Sequence, residues 1–103
     1  MKKVKNPELV EFFEQIPNVG SRTASDFKVV GIYTPHKLKG KNPYKLYVSL
    51  CKKTKCYHDP CTLDVFISAI RFMDIGESLP WWKYTEQRKA EFHKISHLVE
   101  KFK

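Results

Sequence analysis

The chain has 103 residues, 42% of them hydrophobic and 14% aromatic, which supplies one core and argues against intrinsic disorder. No apolar run approaches the ~20 residues of a membrane span. The basic start from Met1 to Lys5 leads into Glu8, Glu11 and Glu14 instead of a signal peptide's apolar stretch, so a cytoplasmic location is expected. Nineteen Lys and Arg against eleven Asp and Glu leave a net charge of +8, which bears on partners and says nothing of fold.

Asn6-Pro7, Thr34-Pro35, Asn42-Pro43 and Asp59-Pro60 each put a capping oxygen before a proline suited to the first helical position. The first helix is predicted from about Pro7 to Gln15, with Leu9, Phe12, Phe13 and Ile16 on one face. A second begins near Ser21, turns Ala24, Phe27 and Val30 inward, and stops at Gly31. A short helical turn follows over Pro35 to Lys39, and a further helix over Pro43 to Lys52. The helix from Pro60 to Met73 is apolar nearly all round and suits a central position. The last runs from about Thr85 to Phe102, with Phe92, Ile95, Val99 and Phe102 at helical spacing. Nothing alternates as a strand would, so the expectation is an all-α domain of five to six helices spanning residues 1–103.

The charge is unevenly spread. From Phe27 to His58 there is no Asp or Glu, while Lys28, Lys37, Lys39, Lys41, Lys45, Lys52, Lys53 and Lys55 alternate with tyrosines. Without local carboxylates to cancel the field, this stretch points to a polyanion more than to an ordinary solvated surface.

Between the first two predicted helices lies Ile16-Pro-Asn-Val-Gly-Ser-Arg-Thr-Ala24. Pro17 stops one helix, Asn18 tolerates a left-handed turn, and Gly20 leaves the backbone open to approach. The next helix then begins with unpaired N–H groups and the positive end of its dipole, to which Ser21, Arg22 and Thr23 add donors. These residues resemble a helix-hairpin-helix motif, which grips a nucleic-acid phosphate without reading sequence, sometimes with a monovalent cation on the turn carbonyls. Asn18 stands where such motifs usually carry Gly.

The wider pattern resembles the bacterial "pathogenicity locus" family, often labelled as mitomycin-resistance proteins. The resemblance rests on the hairpin, Gly31-Ile32, Leu46-Tyr47, Leu50-Cys51, the block His58 to Phe66, Phe72-Met73 and the block Pro80 to Thr85. The arrangement is also similar to the C-terminal domain of TfoX-type competence regulators. The resemblance implies a small helix-hairpin-helix, SAM-like protein that binds DNA, with no established catalytic residues. No second hairpin is visible, so modest affinity is expected unless the chain forms a homodimer or its lysines add contacts.

Cys51, Cys56, His58 and Cys61 are chemically suited to zinc, but C-x4-C-x-H-x2-C is not a usual spacing, and buried cysteine packs as a small apolar residue. Cys61 or Cys56 with His58 and Asp59 could form a nucleophilic set. Asp59 is better explained as the cap before Pro60. Trp81 and Trp82 could stack on bases, yet one indole plugging the joint before the last helix while its neighbour covers the edge accounts for them more simply, with Tyr84 and Phe92 in the same cluster.

The expectation is therefore a non-enzymatic, cofactor-free protein that binds the DNA phosphate backbone. Its site would be Asn18, Val19, Gly20, Ser21, Arg22 and Thr23, aided by Lys28, Lys37, Lys39 and Lys41. A protein–protein adaptor is the alternative.

Overall fold

The structure, a computed structural model, describes all 103 residues. Five α-helices are joined by 3-10 turns, with no strand: α1 (Ser21–Val29), α2 (Pro43–Thr54), α3 (Pro60–Ile75), α4 (Thr85–Phe92) and α5 (Ser96–Val99). The class is all-α.

The proline punctuation is seen in the caps. The Asn42 side chain accepts from the amides of Tyr44 and Lys45, and that of Asp59 from Cys61 at 2.8 Å. Asn6 and Thr34 precede single 3-10 turns, Pro7–Leu9 and Pro35–Leu38, rather than α-helices. Helix α3 ends at Gly76 with φ +74°, a left-handed stop that glycine adopts without strain.

Helix α3 is the axis of the molecule. Its residues Leu63, Phe66, Ile67, Ala69, Ile70, Phe72 and Met73 are buried, and α1, α2, α4 and the turns around them pack upon it. Phe27 of α1 stacks on Phe66 with ring centroids 4.9 Å apart and meets Phe13 in a tilted pair at 5.3 Å. These rings belong to one core cluster that also takes in Ile16, Val19, Leu38, Tyr47 and Val99.

Two predicted helices are corrected. The segment from Pro7 to Gln15 is not an α-helix: it is two 3-10 turns, Pro7–Leu9 and Phe13–Gln15, with Val10 and Phe12 extended between and beside them. Leu9 and Phe12 are 63% and 54% exposed, and Val10 is buried in their place. The cause is local. Oε1 of Gln15 accepts from the amides of both Glu11 and Phe12, at 2.7 and 2.9 Å, offering the backbone an alternative to helical bonding. The last helix breaks after Phe92 through a turn at His93–Ile95, then resumes as α5 and a 3-10 turn at Glu100–Phe102. The break lets Phe92 meet Tyr47 edge-on at 6.0 Å while Val99 is wholly buried, with α5 packed on α2.

Two polar side chains are buried in α3. Asp64 has no exposed surface and accepts from Arg88 and from the hydroxyl of Thr85, locking α4 onto α3. Ser68 takes the other buried position and faces the hairpin.

Candidate nucleic-acid interface

The corner before α1 is built from the chain's own polar groups. Val19 N–H donates to the Ile16 carbonyl at 3.1 Å and closes the turn, while Asn18 sits at φ +70°. The Asn18 amide donates to Ser68 Oγ and to the Leu79 carbonyl, both at 2.7 Å. Asparagine thus supplies both the left-handed conformation and a tie to α3 that glycine could not make.

A second tie comes from the N-terminal arm. The Lys3 ammonium donates to the carbonyls of Glu14, Ile16 and Val19 at 2.8, 3.0 and 2.6 Å, and Val4 N–H donates to Gln15. All three ammonium protons are used, so the carbonyl side of the turn carries a cation belonging to the chain itself. Burial pulls the Lys3 pKa down from its ordinary value, against the opposing influence of Glu14. Lys3 was not legible as part of this site, because nothing local in sequence ties a lysine to a turn more than ten residues away.

The amide side is open. Ala24 N–H closes the first helical bond to Gly20, but the N–H groups of Gly20, Ser21, Arg22 and Thr23 donate to no group in the protein. Gly20 has φ −104°, a value any residue adopts, and a methyl group built upon it would meet nothing within 4 Å. Gly20, Ser21 and Arg22 are exposed, Thr23 half-buried, and Ala24 and Val19 buried. Val19 therefore contributes no free amide; its backbone closes the turn and receives Lys3.

The lysines lie at different places. Lys28 is exposed in the last turn of α1. Lys37 lies within the Pro35–Leu38 turn, which packs on α3, and Lys39 and Lys41 follow it; Gly40 N–H is held by Asp74, and Lys39 pairs with Glu8 at 3.2 Å. Asp74 stands six residues beyond Ser68 on α3, about 9 Å along the axis, so these three lysines sit toward the end of α3 rather than on the hairpin. Lys41 also borders a depression of about 370 Å³ with Arg71 and Asp74.

Beside α1 lies a shallow cleft of about 200 Å³ lined by Arg22, Thr23, Asp26, Asp59, Cys61, Thr62, Val65 and Trp81. Burial pushes the Asp26 carboxyl up, opposed by the charges of His58 and Arg22. The backbone N–H of Cys61 holds Asp59 below its usual value. Burial also raises the Cys61 thiol, with Asp59 adding to the effect, which is the reverse of an activated nucleophile. Cys51 is buried, Cys61 half-buried and Cys56 exposed, and no three His, Cys, Asp or Glu side chains converge on a point that could hold a metal ion.

The tryptophans divide between an inner and an outer place: Trp81 is half-buried and Trp82 58% exposed, and the deepest residue of their turn is Tyr84, whose hydroxyl donates to Glu77. Phe92 belongs to the opposite end, against Tyr47.

Fold and corner together define a small all-α domain whose hairpin presents free helix-start amides. The profile of the Pathogenicity locus family matches residues 6–90, and the chain belongs to that family. It is also 35% identical over 72 residues to a "Mitomycin resistance protein McrB" from Streptomyces lavendulae, covering 70% of this chain and 69% of the relative. No solved structure matches.

Proposed function

We propose that the chain binds nucleic acid, DNA in the first place, through the phosphate backbone and without reading sequence. The observation that carries this reading is the run of four unpartnered N–H groups from Gly20 to Thr23 at the start of α1. An oxyanion placed there receives several hydrogen bonds and sits at the positive end of the helix dipole. In this reading the corner acts as a helix-hairpin-helix whose first arm is a 3-10 turn. Arg22 adds a charged donor, while Lys28, Lys37, Lys39 and Lys41 enlarge the positive field within a chain of net charge +8. Asp26 and Asp59 lie on the cleft side of Arg22, so the phosphate is taken from the hairpin side.

The proposed role is binding without catalysis, in the cytoplasm. Its DNA repair or maintenance context comes from the family resemblance alone. No helix is long and apolar enough to cross a membrane.

A gel-shift titration with duplex DNA across a salt series tests the proposal. Log affinity should fall linearly with log salt, by about 0.9 per phosphate neutralised, and the double substitution Gly20→Val with Arg22→Ala should abolish the shift. Binding that ignores salt or survives that substitution contradicts it, and capture of a single acidic protein with no DNA shift would favour an adaptor.

A further inference from the structure

We propose that the surface beside the hairpin takes an unpaired nucleobase, so that the ligand of this site is single-stranded nucleic acid or a duplex with a frayed or gapped strand. This rests on the phosphate-binding reading and adds to it the class of strand recognised.

Three observations on the tertiary structure carry the inference. First, the segment from Leu79 to Trp82 is fixed to the hairpin, because the Asn18 side chain donates to the Leu79 carbonyl at 2.7 Å. Second, Trp81 walls the same cleft as Arg22 and Thr23, which belong to the free-amide run. Third, Trp82 stands edge-on to Trp81 at 5.8 Å with 58% of its surface in solvent. Trp82 is left open while Trp81 is half-buried beside it and Tyr84 is buried at 3% exposure, so the outer indole is not needed to close the core. Aromatic faces exposed next to a phosphate grip suit bases of any identity, since every base has a π face.

The charges in the cleft decide which part of a nucleotide goes where. Asp26 and Asp59 line it, and two carboxylates exclude a phosphate from the cleft. They accept readily from the N–H groups on a base edge. The Asp26 carboxylate takes part in no hydrogen bond within the protein, with only the charges of His58 and Arg22 acting on it. The backbone phosphate therefore lies on the amides of Gly20 to Thr23, and the neighbouring base turns toward Trp81 and Trp82. A base still paired within a duplex cannot make that turn without being unstacked.

The chain's only two tryptophans are this pair, so intrinsic indole fluorescence reports on the site without a label. The test is a titration of the full chain with a mixed-sequence single-stranded DNA and with the blunt duplex of the same sequence. The single strand should bind more tightly and quench the fluorescence. Trp82→Ala should weaken single-strand binding about ten-fold, the size expected for one lost stacking contact, and leave duplex binding unchanged. Trp82→Phe, which keeps an aromatic face, should retain most of the affinity. Equal binding of both forms with unquenched fluorescence, or an unchanged single-strand affinity in Trp82→Ala, would overturn the stacking inference while leaving phosphate binding intact. Failure of both DNA forms to bind would remove the phosphate reading and this inference with it.

Discussion

At the scale of single residues, Gly20 separates fold from function. Its backbone angles need no glycine and its surroundings have room for a side chain, although it is the N-cap of α1, so Gly20→Val should cost no more than about 1 kcal/mol and lower the melting temperature by a few degrees without unfolding the chain. The same valine would stand in front of the four amides and weaken DNA binding at least about ten-fold, the effect of losing one or two charge-assisted hydrogen bonds. A thermal melt and a binding titration on one preparation check both halves. Lys3 is the opposite case, a residue that shapes the site from behind. Lys3→Met removes three hydrogen bonds from the turn carbonyls and should cost about 1–2 kcal/mol, measurable by urea unfolding, while also loosening the turn that aims the amides. Asn18 shows how sequence reading caught one property and missed another. Its left-handed angle was expected from residue type; its tie to Ser68 and Leu79 joins positions fifty and more residues apart and has no local signature.

At the scale of elements, what holds the helices in register is polar and buried. Asp64 and Arg88, 0% and 12% exposed at the side chain, join α3 to α4 across the base of the domain. Asp64→Ala would strand the guanidinium in a largely dry site and should destabilise by about 3–5 kcal/mol. The pair of Arg71 and Tyr84 on Glu77 sets an acid limit. Hydrogen bonds from Arg71, then from Tyr84, hold the Glu77 carboxyl below its ordinary value of 4.5. Stability from this cluster is therefore complete above that value and is lost as the pH falls below it. Glu77→Gln should lower the neutral plateau of a stability-against-pH curve and converge with wild type at the acid end, flattening the acid limb, which thermal melts from neutral to acidic pH would show. Elements whose start and stop are written locally were legible: α2 and α3 through Asn42 and Asp59 with their prolines, α1 through Ser21 and Gly31. Two were not. The spacing of Leu9, Phe12, Phe13 and Ile16 fits a helix, but Gln15 captures two amides and Val10 takes the core position. Likewise the helical spacing of Phe92, Ile95, Val99 and Phe102 hides a break, because the turn at His93–Ile95 serves packing on α2 rather than any breaker residue.

At the scale of the molecule, charge and shape act together. The acid-free stretch is folded over several elements rather than laid along one face: Lys28 ends α1, Lys37 to Lys41 surround a turn at the far end of α3, and Lys52 and Lys53 end α2. In the proposed binding its contribution would be a field more than a set of contacts. Replacing Lys37, Lys39 and Lys41 by Gln should therefore lower DNA affinity at low salt, and reduce the salt slope by about 0.9 for each of them that does neutralise a phosphate. Binding titrations of the triple variant at several salt concentrations give that slope. The start of α1 at Ser21 was legible from sequence, because helix starts are local features. Lys3 came into view only in three dimensions; base stacking by Trp81 and Trp82 can be weighed from the sequence, but their nearness to the corner depends on how α3 carries the segment after Gly76 back to the turn.

The measurement that bears most directly on the account is a two-dimensional amide spectrum of the isotope-labelled chain during titration with DNA. The N–H resonances of Gly20, Ser21, Arg22 and Thr23 should show the largest shifts, moving in the direction of stronger hydrogen bonding and returning as salt is raised. Shifts confined to other surfaces, with those four signals stationary at saturation, would contradict phosphate capture at the start of α1.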